Sequence, residues 1–223
     1  MPELITGLTA ARVAGNLAEV RAEIEAACGR AGRDPAAVEI LAAVKYVDVA
    51  DLGVLAEAGI TVVGENRAQE LVRKAAAAPG FTWDFIGHLQ SRKVRQVLPL
   101  VRLIHSVSSD SVIRELGRHA APGTEVLVEV NISGEEGKSG VAPAALDDVV
   151  GRLCEEAGVR VGGLMTMPPL AAAPEDSRRW FAALAQLAGE RDLPRLSMGT
   201  TQDFAVAVEE GATIVRIGTR LYR

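Results

Sequence analysis

Lys45 is the residue of this sequence whose type and position most suggest covalent chemistry. It lies near the carboxyl end of an apolar run, VEILAAVKYV, that follows the Asp34-Pro35 break. An aliphatic and β-branched run of this length predicts a buried strand over residues 38–46. A lysine at a strand end is either a solvated terminus, which is the commoner case, or an amine in a partly dry pocket. In the second case it would be a nucleophile for carbonyl compounds.

Two loops rich in glycine and hydroxyl side chains could bind a phosphate group. They are residues 197–201 (SMGTT) and residues 216–219 (RIGT), and each follows a predicted strand. Glycine lets backbone N–H groups approach an anion, and hydroxyls and a following helix amino terminus add donors. Gly-Thr pairs also cap helices without binding anything, so either loop alone is a weak indication. Together, after neighbouring strands, they predict a phosphate site.

Arg216 and Asn66 are further polar candidates at predicted strand ends. Arg216 stands between two aliphatic residues, and an interior arginine needs an acceptor. That acceptor is either a carboxylate such as Glu129 or a ligand atom such as an aromatic nitrogen. Asn66 ends the triplet Gly-Glu-Asn and offers an amide to the same region, although a tight turn with a helix cap explains the triplet equally well.

The segment around Lys138 resembles an NTPase phosphate-binding loop but fails its pattern. Residues 134–140 read GEEGKSG after a strong strand, and Ile132 occupies the position where the pattern needs its first glycine. The two acidic residues would also repel phosphate. Lys138 is therefore expected to be a mobile, exposed lysine, with a position at the mouth of the site as the alternative.

Three similar segments indicate how the chain is organised. Residues 56–64, 155–163 and 208–218 each combine an acidic helix end, a glycine and a β-branched strand that closes on glycine. Repetition of this joint predicts serial βα units and a mainly parallel sheet. The predicted strands are 38–46, 60–64, 83–87, 102–106, 125–132, 161–165, 194–198 and 212–217.

Eight strands alternating with helices favour an α/β fold of the (β/α)₈ TIM-barrel type over an open doubly wound sheet. An open sheet usually has fewer strands and a GxGxxG fingerprint, which this sequence lacks. Helical spacing of apolar residues predicts one extra helix, Thr6–Arg30, before the first strand. A chain of 223 residues suits a single domain covering residues 1–223.

Composition narrows the function classes. A net charge of −5 argues against general nucleic-acid binding. Cys28 and Cys154 show no CxxC spacing, and the three histidines show no metal-ligand spacing, so neither a disulfide framework nor a metal site is predicted. The sequence shows no secretory signal and no apolar run of the ~20 residues that cross a bilayer. We therefore expect a cytoplasmic protein without a membrane partner.

Seven ordered motifs together resemble the pyridoxal-phosphate homeostasis proteins, the YggS/PROSC family, over essentially the whole chain. They are AAVKYV, GENRAQE, FIGHLQSRK, NISGEEGKSG, GLMTM, SMGTTQDF and VRIGT. The resemblance implies a single barrel similar to the amino-terminal domain of alanine racemase, with pyridoxal 5′-phosphate (PLP) bound.

The same resemblance implies roles for individual residues. Lys45 would form a Schiff base with PLP, Arg216 would face the pyridine nitrogen, and Asn66 would line the ring. The phosphate would be held by two loops, chiefly through Ser197, Thr201, Gly218 and Thr219. Lys138 resembles a family lysine near the site. The chain departs from the family's Gly-Met-Ser at residues 199–201, but Thr201 keeps a hydroxyl.

The resemblance also implies a role for the whole protein. The second proton acceptor of alanine racemases comes from a further domain that this sequence does not contain, and an arginine at the ring nitrogen suits modest chemistry at best. We therefore expect a non-catalytic, monomeric PLP carrier that serves PLP-dependent apo-enzymes and affects amino-acid and keto-acid balance. The alternatives are a small PLP-dependent racemase or lyase, and a barrel that binds another phosphorylated metabolite.

Overall fold

The computed structural model describes residues 4–223. Its eight parallel strands form a closed ring, and the repeated helix–glycine–strand segments connect them. Each strand pairs with the next along the chain, and the last pairs with the first, Leu41 lying opposite Arg216. The strands are β1 Glu39–Ala43, β2 Val62–Glu65, β3 Thr82–Phe85, β4 Leu103–Val107, β5 Glu125–Glu129, β6 Arg160–Met165, β7 Arg195–Thr200 and β8 Ile214–Ile217. The predicted (β/α)₈ barrel is confirmed.

Helices surround the ring of strands. The α-helices are α1 Ala10–Ala31, α2 Leu52–Glu57, α3 Ala68–Ala77, α4 Val94–Val97, α5 Asp110–His119, α6 Leu146–Glu155, α7 Arg178–Gly189, α8 Phe204–Glu209 and α9 Thr219–Tyr222. The short 3-10 helices are Pro35–Ala37, Val49–Asp51, Ser91–Lys93, Leu98–Leu100, Pro143–Ala145 and Pro174–Ser177. None of the helices in residues 4–223 is long and apolar enough to cross a membrane.

The extra helix α1 begins later than the sequence predicted. Thr9 has extended backbone and its hydroxyl accepts from the N–H of Arg12, so the helix starts at Ala10 rather than at Thr6. Gly32, with φ of 65°, ends the helix in a left-handed conformation that suits glycine. The helix packs its buried face, which includes Val13 and Leu17, against α8 and α9, the helices that follow β7 and β8.

The prediction of strand 38–46 is wrong at its carboxyl end. β1 stops at Ala43, and the N–H of Val47 donates to the carbonyl of Val44 across a turn, at 3.0 Å. Lys45 therefore lies in this turn, two residues beyond the strand. A turn lets the side chain leave the barrel wall, and the Lys45 side chain is exposed.

Polar side chains occupy much of the barrel interior. A small apolar cluster lies inside the ring, formed by Leu41, Leu103, Leu127, Met165 and Ile214. The interior of a (β/α)₈ barrel is usually filled with layers of bulky branched residues. Here Asp84, His105, Ser197 and Arg216 are also buried, on β3, β4, β7 and β8. Buried polar groups need hydrogen-bond partners, so each of these four side chains needs a partner from the protein or from a ligand.

Candidate functional site

A cavity of about 460 Å³ lies at the carboxyl ends of the strands, where (β/α)₈ barrels carry their active sites. Six of the seven residues predicted for the site line it: Lys45, Asn66, Thr201, Arg216, Gly218 and Thr219. A larger hollow of about 820 Å³ lies beside Trp180 and Leu170, and no lysine lines it. The chemistry of the side chains therefore selects the first cavity.

Lys45 is the one lysine of this sequence that lines the cavity. The amine of Lys74 is buried in an ion pair with Glu65, and that of Lys138 lies 2.6 Å from a carboxylate oxygen of Glu135. Lys93 lines a separate, smaller hollow. The Lys45 amine lies 5.0 Å from the ring centre of Tyr46, which also lines the cavity. An exposed primary amine is thus available to a ligand.

Two buried side chains fix the backbone that carries Lys45. The Lys74 amine donates to the carbonyl of Val44 and to the carboxylate of Glu65, both at 2.6 Å. The other carboxylate oxygen of Glu65 accepts two backbone N–H groups, including that of Asn66 at 2.7 Å. The pair thus connects the turn after β1 to the end of β2, although sequence reasoning assigned no role to Lys74.

Tyr222 reaches the same turn from α9. Its hydroxyl donates to the carbonyl of Ala43 at 3.3 Å, and burial raises the pKa of this phenol above its ordinary value. Tyr222 is 3% exposed. A buried phenol that already donates to the backbone is not placed to accept a proton in the cavity, so its role here is structural.

Asn66 lines the cavity and has an unpaired side-chain oxygen. Its side-chain Oδ1 is the one buried side-chain N or O atom of residues 4–223 without a hydrogen-bond partner. Close packing holds the residue in place, because a Cβ on Gly87 would lie 2.2 Å from the Asn66 carbonyl oxygen. A buried acceptor left unpaired costs free energy, so this oxygen suits a donor supplied by a ligand.

Arg216 lies on the floor of the cavity and is 5% exposed. Its guanidinium donates to Ser197 Oγ at 2.6 Å, and to the carbonyl of Thr166 and the sulfur of Met167, both at 2.9 Å. The alternative pairing with Glu129 is not observed among these bonds. Burial lowers the pKa of Arg216 to about 10. A buried cation bonded to neutral groups is a favourable partner for an electron-rich ligand atom.

Glu129 forms a separate contact near the mouth of the barrel. Its carboxylate accepts the hydroxyl of Ser139 at 2.5 Å, which holds the loop that carries Lys138. Burial raises the pKa of Glu129 above its ordinary value. Lys138 pairs with Glu135 and does not line the cavity.

The two loops predicted to bind phosphate meet each other. The N–H of Gly218 donates to Thr201 Oγ1 at 3.1 Å, and Thr219 begins helix α9. Thr200 donates through its N–H and its hydroxyl to Asp203 Oδ1, at 2.8 and 3.2 Å. Gly199 has a φ of +84°, and a Cβ there would lie 2.5 Å from Ala207 Cβ, so the loop depends on this glycine.

Ser197 is the predicted site residue that the structure does not bring to the cavity. It lies within β7, is fully buried, and its hydroxyl contacts Arg216 and His105 inside the barrel. Its contact with a phosphate stays a prediction, because β7 continues to Thr200 and Ser197 lies within the strand rather than in the loop. His105 and Asp84 also belong to this interior group. An ionisable residue within an otherwise apolar strand is the signal that could have identified them.

Comparisons with known proteins agree with this geometry. Residues 15–223 match the family described as alanine racemase, N-terminal domain. A pyridoxal phosphate homeostasis protein of Aquifex aeolicus is 42% identical over 217 residues, covering 92% of this chain and 95% of the relative. Its counterpart in Pseudomonas aeruginosa is 37% identical, with 94% of each chain covered.

Solved structures give the same result. The PipY protein of Synechococcus elongatus PCC7942 is 30% identical, and the match covers 95% of this chain and 100% of PipY. The TM-score is 0.82 for PipY without PLP and 0.77 for PipY with PLP bound. The alanine racemase of Corynebacterium glutamicum shares the fold, with a TM-score of 0.73 at 16% identity over 63% of its length. This chain belongs to the alanine racemase N-terminal domain family, among the pyridoxal phosphate homeostasis proteins.

Proposed function

We propose that this protein binds PLP and takes part in PLP homeostasis, with the cofactor attached to Lys45. The observation that supports this most is the convergence, in one cavity, of the single available lysine, a buried guanidinium and a pair of hydroxyl-bearing loops. PLP carries an aldehyde, a ring nitrogen and a phosphate, and each matches one of these features. The similarity to PipY, whose structure is known with PLP bound, supports the same ligand.

The residues at the cavity fit this cofactor. Asn66 lines the cavity, and its buried Oδ1 has no hydrogen-bond partner among residues 4–223. The guanidinium of Arg216 offers donors to a ring nitrogen, and Thr201 and Thr219 offer hydroxyls to a phosphate. The Lys45 amine is exposed and can reach an aldehyde without displacing a protein partner. Among residues 4–223, none that lines the cavity carries a carboxylate that would repel a phosphate.

PLP supplies an aldehyde that condenses with amines and a ring that accepts electrons when its nitrogen is protonated. Arg216 has donors only, so a ring nitrogen that faces it must act as an acceptor without a proton. In this arrangement the protein binds and orients the cofactor while leaving its ring a poor electron acceptor. These properties suit storage and release of PLP better than turnover of amino acids.

The placement of the tyrosines also favours a carrier. A racemase needs proton acceptors on both faces of its bound amino acid. Tyr46 lines the cavity, but it follows Lys45 directly and its ring lies under the Lys45 amine, so both groups approach from the same side. Tyr222 is buried with its hydroxyl on a backbone carbonyl. We therefore propose a carrier that passes PLP to apo-enzymes rather than a racemase. The proposal also includes a monomeric, cytoplasmic protein built as one barrel domain.

The test is a visible absorption spectrum of the purified protein with PLP, followed by borohydride reduction and peptide mapping. We expect a new absorbance band and a pyridoxyl adduct on the peptide that contains Lys45. Lys45→Ala should lose both, whereas Lys93→Ala, which changes a lysine outside the cavity, should keep both. Binding of PLP with unchanged affinity in Lys45→Ala would contradict attachment through Lys45 and favour a general phosphate-binding barrel.

A second measurement separates the carrier from an enzyme. The loaded protein is incubated with a panel of L- and D-amino acids, and products are followed by chiral chromatography. We expect no turnover above that of free PLP. Multiple turnovers that disappear in Lys45→Ala would support a racemase or lyase instead.

A further inference from the structure

A continuous chain of hydrogen bonds runs below the cavity through the interior of the barrel. Arg216 donates to Ser197 Oγ at 2.6 Å, and Ser197 Oγ lies 2.8 Å from Nδ1 of His105. Nε2 of His105 lies 3.1 Å from Oδ2 of Asp84. The four side chains belong to four different strands and are at most 5% exposed. We call these four residues the interior chain.

The interior chain is anchored at the opposite end of the barrel. Arg102, just before β4, donates to both carboxylate oxygens of Asp84, at 3.1 and 2.6 Å. The same guanidinium donates to both oxygens of Glu39 at 2.7 Å. Bidentate arginine–carboxylate pairs have a fixed geometry. Asp84 is therefore held in one position and provides a rigid end to the interior chain.

The two ends of the interior chain, Arg216 and Asp84, determine which group donates in each hydrogen bond between them. An arginine has donors only, and the carboxylate of Asp84, paired with Arg102, acts as an acceptor. Nε2 of His105 therefore carries its proton, Nδ1 accepts the hydroxyl proton of Ser197, and Ser197 accepts from Arg216. Burial lowers the pKa of His105 below its ordinary value, which agrees with a neutral imidazole. Each hydrogen bond along the interior chain therefore joins one donor to one acceptor.

We propose that Asp84, His105 and Ser197 are positioning residues that hold the Arg216 guanidinium in the orientation needed by the ring nitrogen of PLP. This inference rests on the proposed function. Among residues 4–223, Arg216 has no carboxylate as a hydrogen-bond partner; Asp203 and Glu129 are the acidic groups nearby, and the interior chain connects its guanidinium to the fixed carboxylate of Asp84. Without the interior chain, the guanidinium would keep only the bonds of its second NH2 group to the Thr166 carbonyl and the Met167 sulfur, and it would be free to turn about them.

The test compares two variants and two ligands. Ser197→Ala removes the link nearest to Arg216 with little change in volume. Thr213→Val is the matched control, because its hydroxyl accepts the backbone N–H of Leu196, the residue before Ser197, at 2.8 Å, and Thr213 neither contacts Arg216 nor lines the cavity. The ligands are PLP and its 1-deaza analogue, in which a C–H group replaces the ring nitrogen. Dissociation constants are measured by titration of each purified protein.

We expect Ser197→Ala to weaken PLP binding by about tenfold, the effect of one hydrogen bond to a charged group. The same variant should change binding of the deaza analogue by less than about twofold, because no ring nitrogen is present to report the orientation of Arg216. Thr213→Val should leave both affinities unchanged. Equal losses for both ligands, or no loss for either, would overturn the proposal.

A measurement on the unaltered protein keeps the proposal testable if Ser197→Ala does not fold. Nitrogen-15 NMR of the imidazole distinguishes a proton on Nε2 from a proton on Nδ1. The interior chain requires the Nε2–H form of His105 at neutral pH, with and without PLP. The Nδ1–H form or an imidazolium would overturn the inference. If the unaltered protein fails to bind PLP at all, the proposed function fails, and the result is distinct from both outcomes above.

Discussion

The two cations of the cavity, Lys45 and Arg216, are held in opposite ways. Lys45 lies in a turn with its side chain exposed, while the backbone around it is fixed through the carbonyls of Ala43 and Val44. Arg216 lies within a strand with its side chain buried and its guanidinium fixed by three acceptors. One cation has a fixed base and a free end, whereas the other is fixed at its end.

The difference follows from what each group would do. An amine that forms and breaks a covalent bond must change its position and geometry, so its side chain needs freedom while its Cα stays in place. A guanidinium that faces a ring atom does not react, and its value depends on orientation. Buried partners therefore contact the guanidinium of Arg216. At Lys45 they contact only the neighbouring backbone and leave the amine free. Four predictions test this contrast, from the largest expected effect to the smallest.

Lys74→Met should have the largest effect, since it removes the cation that fixes the backbone at Lys45. Glu65 is fully buried and would keep an uncompensated charge. We expect the free energy of unfolding to fall by about 3–5 kcal/mol in urea denaturation. The double variant Glu65→Gln/Lys74→Met should recover most of this loss. A loss below about 1 kcal/mol in the single variant would show that the pair does not fix the turn.

The pH dependence of stability tests the buried side of the contrast through His105. Burial is the largest cause of its lowered pKa, and Asp84, Arg102 and Arg216 are the charged groups that face it. Because the unfolded chain binds a proton near pH 6.5 and the folded protein does not, stability should fall as the pH drops below that value. The slope contributed by one such group is at most about 1.4 kcal/mol per pH unit.

Thermal or urea unfolding between pH 5 and 8 measures this slope. His105→Gln should lose the contribution, whereas His119→Gln, which changes a histidine on the surface of α5, should keep it. An unchanged slope in His105→Gln would mean that the imidazole is not kept neutral by its surroundings.

Tyr222→Phe should have a smaller effect on the turn that carries Lys45. It removes one hydrogen bond of 3.3 Å to the Ala43 carbonyl and leaves the Lys74 contact in place. We expect a loss of about 1 kcal/mol in the free energy of unfolding. Amide hydrogen exchange of residues 44–47 should accelerate, and exchange in β8 should not. Protection that is unchanged in the turn would assign its rigidity to Lys74 alone.

Lys45→Met should have the smallest effect on stability. The amine is exposed and lies over the ring of Tyr46, so its removal in the absence of cofactor should change the free energy of unfolding by less than about 0.5 kcal/mol. Urea denaturation of the apo-protein gives this value. A loss above about 1 kcal/mol would show that the lysine itself stabilises the turn, and the contrast with Arg216 would no longer hold.

Much of the fold could be predicted because local patterns repeat. The glycines at positions 59, 158 and 211, each with positive φ, mark the same helix-to-strand joint three times. Strand ends were less certain, because an apolar run continues past the last ladder hydrogen bond. Val44 continues the apolar run and is fully buried although it lies beyond β1, so the run predicted a strand through Lys45.

The lining of the site was also largely predictable, whereas its supports were not. Lys45 and Arg216 stand out as cations in apolar runs, and motifs fix the positions of Asn66 and Thr201. Lys74 bonds Val44, 30 residues away in sequence, and His105 bonds Ser197, 92 residues away, and no local pattern reports such distances. Ser197 was assigned to the loop because its strand was predicted to end at residue 198, whereas β7 continues to Thr200.

The location of the two cations has a consequence for folding. Lys45 follows β1 and Arg216 lies on β8, the two strands whose pairing closes the ring. The contact from Tyr222 to Ala43 spans 179 residues of sequence, so this seam is among the least local parts of the molecule and should form late. A ligand that contacts both residues would bind only after closure and would oppose reopening of the seam by mass action. Binding of the ligand would then stabilise the closed barrel and slow its unfolding, although the ligand contacts little of the core.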